Sequence, residues 1–210
     1  MVSVYFFGKG TNSIYIKAIT QNLQSSQISI EDLFYANIGD TDKSSDFTKG
    51  STDTITHDND KYIVTTTGAG YHLLSLIPLN GISLDNCVLE FDVNLRNTND
   101  NGISLQVVSQ SKVLRLGLND TSKLLIHNYG TSNDSYENYS ASHLYNTWVH
   151  FKYTFQNNNI TMEIYLNGIL QKTKTLTLNA NVLGSTSQYS LLNSWVASTR
   201  YIKNITVKKL

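Results

Sequence analysis

A run of nine residues with strict two-residue alternation constrains the fold of this chain more than any other feature. In Cys87–Leu95 (CVLEFDVNL) the odd-numbered positions are all apolar, whereas Glu90, Asp92 and Asn94 lie at even-numbered positions. Successive side chains of a β-strand point to opposite faces. The run therefore predicts a strand with one face on a core and the other toward polar surroundings.

Short strand-like segments follow along the rest of the chain, separated by Asn, Asp, Ser and Gly. They cover 103–108, 113–118, 123–129, 148–155, 160–166, 170–178 and 201–208. The turns between them, such as Asn167–Gly168, use residues that tolerate the positive φ of tight hairpins. Many short strands at a spacing of roughly 8–12 residues predict an all-β sandwich or barrel.

The first 40 residues have a different pattern. Two strand-like segments at 2–7 and 13–19 precede a stretch rich in Gln and Ser. Ser29–Asp32 resembles a helix-capping box and predicts a short helix over 33–36. We expect residues 1–40 to form an attachment or oligomerisation element and residues 41–210 to form the sandwich. The alternative is that the first segments supply its first strands.

Composition and charge exclude several classes of partner. Lys and Arg total 16, as do Asp and Glu, so the chain has no basic excess for binding nucleic acid. No apolar stretch approaches the roughly 20 residues of a membrane span, and no classical signal peptide is recognisable. The single cysteine, Cys87, excludes an internal disulfide and predicts a small buried side chain.

The sequence predicts neither a cofactor nor a metal ion. It contains no phosphate-binding loop and no dinucleotide fingerprint. Its five histidines lack the paired spacing of zinc ligands. Acidic and amide residues at 40–46, 57–60 and 97–102 offer oxygen ligands for calcium, but none has a complete spacing. Such residues are also common in β-turns.

Four segments occur in an order that carries a family resemblance. They are the strand at 88–93, a strand opened by Trp at 146–153, a strand ending in an Asn-Gly turn at 160–168, and a last strand at 201–207. Over about residues 45–210 this order resembles the concanavalin A-like lectin/glucanase domains, including laminin-G-like modules. The resemblance implies two antiparallel sheets in a jelly-roll sandwich, a fold that serves lectins, capsid proteins and some glycosidases.

The same family provides a criterion for catalysis. Its glucanase members carry a Glu-x-Asp-x-Glu motif whose outer glutamates serve as nucleophile and general acid/base. The corresponding positions here are Glu90, Asp92 and Asn94, and an amide cannot exchange the proton. Retaining hydrolysis needs two carboxyl groups about 5–5.5 Å apart in separate roles. We therefore predict that the chain is not an enzyme.

A ligand-binding surface is predicted in the segment 128–145, which is rich in Tyr, Asn and Ser, and at Trp195. Tyrosine gives a rigid amphipathic contact, and Ser and Asn adapt their hydrogen bonds. The alternative is a solvated connection whose tyrosines fold back onto a sheet edge. The residues that we expect to contact a ligand are Tyr129, Tyr136, Tyr139, Tyr145 and Trp195.

Trp148 has two interpretations. It alternates with His150 and Lys152 on a polar strand face, where it would form a sugar-stacking platform with Glu163 and Tyr165 of the next strand. The family resemblance instead implies a tryptophan that packs beneath a loop.

Together these observations predict a non-catalytic recognition module that binds a carbohydrate or a host-surface receptor. A lectin-like organisation without a recognisable signal peptide favours a phage tail or capsid-associated protein on a virion or extracellular surface. We expect a homo-oligomer that contacts other virion subunits. The alternatives are a purely structural virion subunit, such as a decoration or tail protein, and a divergent glycoside hydrolase.

Overall fold

The computed structural model describes the backbone of residues 3–8, 14–19 and 33–37 and all of residues 41–67, 72–96, 102–109, 112–128, 133–178, 188–191 and 197–210. In chain order the strands are β1 (Ser3–Gly8), β2 (Ile14–Ile19), β3 (Leu33–Asn37), β4 (Phe47–Thr48), β5 (Thr54–Asp58), β6 (Lys61–Thr66), β7 (Leu74–Leu76), β8 (Cys87–Leu95), β9 (Ile103–Ser109), β10 (Lys112–Leu118), β11 (Lys123–His127), β12 (Ser135–Asn138), β13 (Trp148–Gln156), β14 (Asn159–Leu166), β15 (Ile169–Thr177), β16 (Gln188–Leu191) and β17 (Ser198–Lys209). Short 3-10 helices lie at Ser44–Asp46, Ile77–Leu79 and Ser142–Leu144.

Two antiparallel sheets form the body of the protein. The larger has eight strands in the order β15-β14-β13-β8-β17-β6-β5, with β3 also paired to β17. The smaller has seven strands in the order β12-β11-β10-β9-β16-β7-β4. The predicted two-sheet antiparallel jelly-roll sandwich is confirmed.

The core lies between the two sheets and is supplied by alternate residues of their strands. On β13 every second residue from Val149 to Phe155 is buried. Phe91 stacks on Phe151 with ring centroids 5.5 Å apart. Tyr153 is fully buried, and its hydroxyl donates a hydrogen bond to the carbonyl oxygen of Leu116 on the smaller sheet at 2.9 Å. Burial raises the pKa of this hydroxyl.

The short helix predicted over residues 33–36 is wrong. Leu33–Asn37 is strand β3, which pairs antiparallel with the far end of β17. Tyr35 is buried there, and its hydroxyl donates to Asp46 Oδ2 at 2.8 Å. Pairing with a long neighbouring strand overrides the local capping pattern, because propensity is a weak prior against tertiary contacts.

The N-terminal strands β1 and β2 pair with each other in a separate two-stranded antiparallel sheet. Their register runs from Ser3 opposite Ile19 to Gly8 opposite Ile14. The attachment or oligomerisation role of residues 1–40, and the division of the chain at residue 40, stay predictions.

Candidate functional site

The outer face of the larger sheet, which points away from the core, presents charged side chains from neighbouring strands. On β8, Glu90 and Asp92 alternate with core residues, as the sequence pattern predicted. The register places Lys152 of β13 opposite Glu90 and His150 opposite Asp92. On the other side of β8, Lys203 of β17 lies opposite Asp92. Acidic and basic residues thus occupy neighbouring cross-strand positions, which stabilises the sheet.

An open cleft with a volume of about 610 Å³ lies on this outer face. Ligand-binding pockets typically measure roughly 300–1,000 Å³. The rings of Trp148, His150 and Tyr165 line the cleft beside carboxylate, lysine and amide groups. Aromatic surface and many hydrogen-bonding groups therefore meet in one place.

Asp92 is held in its ionised form by two neighbours. His150 Nδ1 lies 2.9 Å from Asp92 Oδ1, and Asn204 Nδ2 donates to Asp92 Oδ2 at 2.6 Å. Partial burial alone would raise the pKa of Asp92, but the hydrogen bonds from His150 and Asn204 outweigh it, so this pKa lies below its usual value. Asp92 is therefore a fixed hydrogen-bond acceptor at neutral pH.

The other two acids of the face also have cationic partners. Lys208 Nζ donates to Glu90 Oε2 at 2.9 Å, while Glu90 Oε1 lies 3.9 Å from His150 Nε2. Lys152 Nζ lies 2.8 Å from Glu163 Oε2. The hydrogen bond from Lys152 lowers the pKa of Glu163. This pairing orients both carboxylates, and it favours the ionised form of Glu163.

The third position of the Glu-x-Asp-x-Asn motif is buried. Asn94 is 7% exposed, and no residue in the described part of the chain forms a hydrogen bond with its Oδ1. The register places Asn94 between Trp148 of β13 and Tyr201 of β17. The position that would hold an acid/base glutamate in a glucanase therefore holds a buried amide.

Trp148 is half-buried and lines the cleft. The ammonium of Lys203 lies 4.6 Å from the centroid of its ring, a cation–π contact. The same ammonium donates to Asp60 Oδ2 at 2.9 Å. β8 lies between the strands that carry Lys203 and Trp148, so the Lys203 side chain reaches across β8 to contact the Trp148 ring.

A β-bulge in β17 brings two consecutive residues into the cleft. The register against β8 shifts between Lys203 and Thr206. Asn204 has a φ of 54°, in the left-handed region that Asn adopts more readily than most residues. Consecutive residues of a regular strand point to opposite faces, whereas here both Lys203 and Asn204 line the cleft.

The turn between β14 and β15 forms another wall of the cleft. Asn167 and Gly168 have φ values of 51° and 76°, as the Asn-Gly pair predicted. Both residues line the cleft, and Tyr165 just before them lies 6.0 Å from His150 between ring centroids. Burial and a hydrogen bond to Glu163 raise the pKa of Tyr165, so its hydroxyl stays protonated.

The aromatic residues predicted to bind a ligand have different environments. Tyr136 on β12 is 53% exposed, and Lys123 Nζ lies 5.9 Å from its ring centroid. Tyr139 is partly buried against the core, and its hydroxyl forms no hydrogen bond with any described residue. Tyr145 is 6% exposed and belongs to the core. Tyr129 and Trp195 lie outside the described residues, and the ligand-binding role of all five stays a prediction.

Sequence reasoning found part of the cleft and missed part. The two-residue alternation placed Trp148 and His150 on one polar face with Tyr165. It did not identify Lys203 and Asn204, because the pairing of β17 with β8 is a contact between distant segments. The one local signal of the bulge in β17 was Asn204 in the middle of the strand, because Asn is depleted in strands and tolerates a positive φ.

Among the described residues, no three His, Cys, Asp or Glu side chains are grouped so that they would hold a metal ion. None of the described helices combines the length and apolar character needed to cross a membrane. Cys87 is buried, as predicted, and burial raises the pKa of its thiol.

No family model and no curated protein sequence matches this chain. Solved structures share its fold. It is similar to the CBM2 module of the evolved Dit of Lactobacillus casei BL23 phage J-1, with 10% identity, a TM-score of 0.57, and coverage of 85% of this chain and 95% of that one. It is similar to a galectin-like protein of unknown function from Bacillus subtilis, with 8% identity, a TM-score of 0.56 and coverage of 85% and 96%. It is also similar to a family 16 endo-glucanase from Bacteroides ovatus, with 11% identity, a TM-score of 0.52 and coverage of 81% and 96%.

Proposed function

We propose that this protein is a non-catalytic carbohydrate-binding module whose ligand lies in the cleft on the outer face of the larger sheet. The observation that carries the proposal is the meeting of Trp148, His150 and Tyr165 with oriented carboxylates and amides in a cleft of about 610 Å³. A sugar ring has apolar C–H faces and an equatorial rim of hydroxyls. Aromatic rings match the faces, and hydrogen-bonding groups match the rim.

The hydrogen-bonding groups are suited to hydroxyl ligands because most are already fixed. Asp92 is oriented by His150 and Asn204, so its remaining lone pairs accept from a defined direction. Groups that are fixed before binding lose less entropy when the ligand arrives. Because these side chains are fixed before binding, the cleft favours a saccharide with one particular arrangement of hydroxyls.

The roles that these acids can take support a function without catalysis. A retaining glycosidase needs one carboxyl that is protonated and one that is not. Asp92 has a lowered pKa, which favours its ionised form, and Glu90 accepts a hydrogen bond from Lys208. Asn94 supplies no third carboxyl. A CBM2 module and a glucanase among the solved structures of this fold support saccharide binding as a use of the fold.

Substitution of Trp148 tests the site. On an immobilised glycan array, with affinities then measured by calorimetry for any glycan that binds, Trp148→Ala is expected to reduce affinity by about fivefold to 150-fold. Loss of one stacked ring is worth about 1–3 kcal/mol, by analogy with base stacking on aromatic side chains. Ile77→Ala, at an exposed residue of the turn after β7, is the control.

The same array decides between the cleft and the predicted tyrosine surface. Tyr136→Ala combined with Tyr139→Ala leaves affinity unchanged if the cleft is the site. If that double variant abolishes binding and Trp148→Ala does not, the proposed site is wrong. Release of reducing sugar from a bound glycan, abolished by Glu90→Gln, would show that the protein is a glycosidase.

We also propose that the module acts on a virion or extracellular surface, as part of a phage or virus particle. The fold shared with a module of a phage protein supports this setting. A receptor-binding role predicts specific glycan binding, whereas a purely structural subunit predicts a tight ring or trimer by mass measurement without any glycan bound. Tail or capsid genes on either side of the gene are expected, and their absence would contradict the setting.

A further inference from the structure

Two cations lie at one end of the outer face, on the aromatic residues that flank Asn94. We propose that the ligand of the cleft is an acidic saccharide whose carboxylate is bound by Lys203 and Arg96 while its ring stacks on Trp148. This inference rests on the proposed function, since it names the class of saccharide that the cleft binds.

Arg96 is the first of the two cations. It directly follows β8 and is exposed, with its guanidinium carbon 5.5 Å from the ring centroid of Tyr201. Among the residues that the structure describes, Arg96 forms no ion pair. An arginine presents several donors in a planar fork that matches a carboxylate. Its charge is therefore available to an anionic ligand.

Lys203 is the second cation, and its present partner is easily exchanged. Its ammonium donates to Asp60, whose side chain is 51% exposed and lies outside the cleft lining. Exposed ion pairs of this kind contribute little to stability, because solvent screens them. A ligand carboxylate can therefore replace Asp60 at low cost.

Two of the three acids elsewhere on the face are paired with lysines. Glu90 is neutralised by Lys208 and Glu163 by Lys152. Asp92 is ionised and lies opposite Lys203 in the strand register, two residues before Asn94 on β8. Lys203 and Arg96 therefore place two positive charges near this end of the face, beside the negative charges of Asp92 and Asp60.

Asn94 gives an independent reason to expect a ligand at this end. None of the residues that the structure describes forms a hydrogen bond with its buried Oδ1, and an unpaired buried acceptor is destabilising. The contact between Lys203 and Trp148 crosses β8 near Asp92 and Asn94. In this proposal a saccharide hydroxyl donates to the Asn94 oxygen when Lys203 turns from the Trp148 ring to the ligand carboxylate.

The test compares saccharides that differ in charge alone. The probes are polygalacturonate, alginate, hyaluronan and polysialic acid, each paired with its carboxyl methyl ester, together with the neutral polysaccharides dextran, laminarin and galactan. We expect at least one acid to bind and its ester to bind about tenfold more weakly, because a charge-assisted hydrogen bond is lost. Binding of the acid should weaken as salt concentration rises.

Substitutions then identify the side chains that bind the carboxylate of the ligand. Lys203→Gln and Arg96→Gln should each reduce affinity for the acid about tenfold and change affinity for the ester by less than twofold, whereas Lys203→Arg should retain the preference. Lys123→Gln is the matched control, because Lys123 also lies over an aromatic ring, that of Tyr136. It removes the same charge from another part of the surface.

Asp60→Asn gives a prediction of opposite sign. It removes the carboxylate that competes for Lys203, so affinity for the acidic saccharide should rise a few-fold and affinity for its ester should not change. A purely structural role of Lys203 would not produce this gain.

The possible results separate the two proposals. Preferred binding of neutral glycans or of the methyl esters, lost in Trp148→Ala, would overturn the acidic ligand and retain the proposed function. Equal effects of Lys203→Gln on acid and ester would also overturn it. No binding of any probe or array glycan would overturn the proposed function and this inference with it.

Discussion

At the scale of single residues, the outer face of the larger sheet combines fixed charges with exposed aromatic surface. Asp92 is hydrogen-bonded on both carboxylate oxygens, and Glu90 has Lys208 as its cationic partner. Such pairs contribute little to stability where they are exposed, but they fix the direction of each acceptor. Their main consequence is an ordered polar surface.

Tyr153 is the buried residue with the clearest single contribution to stability. Its hydroxyl joins the two sheets through the Leu116 carbonyl at 2.9 Å. Tyr153→Phe should lower the free energy of unfolding by about 1 kcal/mol. The melting temperature should fall by roughly 2–4 °C. Tyr136→Phe, at an exposed ring, is the control, and equal melting temperatures of the two variants would contradict the role of Tyr153.

Residue-level sequence reasoning worked where a side chain follows from its own strand. Alternation alone placed Glu90 and Asp92 on a polar face and predicted the burial of Cys87. It could not place Lys203 and Asn204 in the cleft, because a bulge in β17 breaks the two-residue period there. A bulge depends on the partner strand, which a local pattern does not contain.

At the scale of elements, an ion-pair cluster joins the edges of the two sheets. Glu137 on β12, an edge strand of the smaller sheet, bonds Lys172 Nζ at 2.7 Å and Lys174 Nζ at 2.5 Å on β15, an edge strand of the larger one. Lys172 and Lys174 pair with the core residues Ile164 and Met162, so they lie on the inner side of β15. Inward charges on an edge strand also oppose unwanted strand pairing.

This cluster predicts a pH dependence of stability. Hydrogen bonds from Lys172 and then Lys174 lower the pKa of Glu137 to about 2, below its ordinary value near 4.5. Because the folded-state pKa is depressed, the contribution is fully present above about pH 4.5 and is lost as the pH falls toward 2. Glu137→Gln should therefore destabilise at pH 7, and the difference from wild type should shrink in acid.

Urea unfolding at pH 7 and at pH 3, with and without 0.5 M salt, measures this effect. At pH 7 we expect a loss of about 0.5–1 kcal/mol, reduced by salt, since the carboxylate is partly exposed. Thr161→Ala on the outer face is a control without a charge. A loss that is independent of both pH and salt would contradict the ion-pair account.

Elements also show where local signals fail. Residues 33–37 follow a convincing capping pattern, yet they form β3, because β17 is long enough to pair with both β6 and β3 along one side. The Asn167–Gly168 turn shows the opposite case. Its positive φ angles depend on the two residues themselves, so the sequence predicts it well.

At the scale of the whole molecule, the sandwich separates stability from recognition. Aliphatic and aromatic side chains make up the core between the sheets, whereas the cleft lies on the outer face of the larger sheet. The fold class was predictable from strand number and spacing. The strand order that places β17 beside β8, and with it Lys203 near Trp148, was not predictable, because it depends on contacts between distant segments.

Chemical-shift mapping tests the central claim, that the outer face of the larger sheet holds the saccharide, most directly. The backbone amide spectrum of the ¹⁵N-labelled protein is recorded as the best glycan from the array is added. We predict that the largest shifts map to 148–150, 165–168 and 203–204, with small shifts over 135–145. Largest shifts at 135–145, with 148–150 and 203–204 unmoved, would contradict this account.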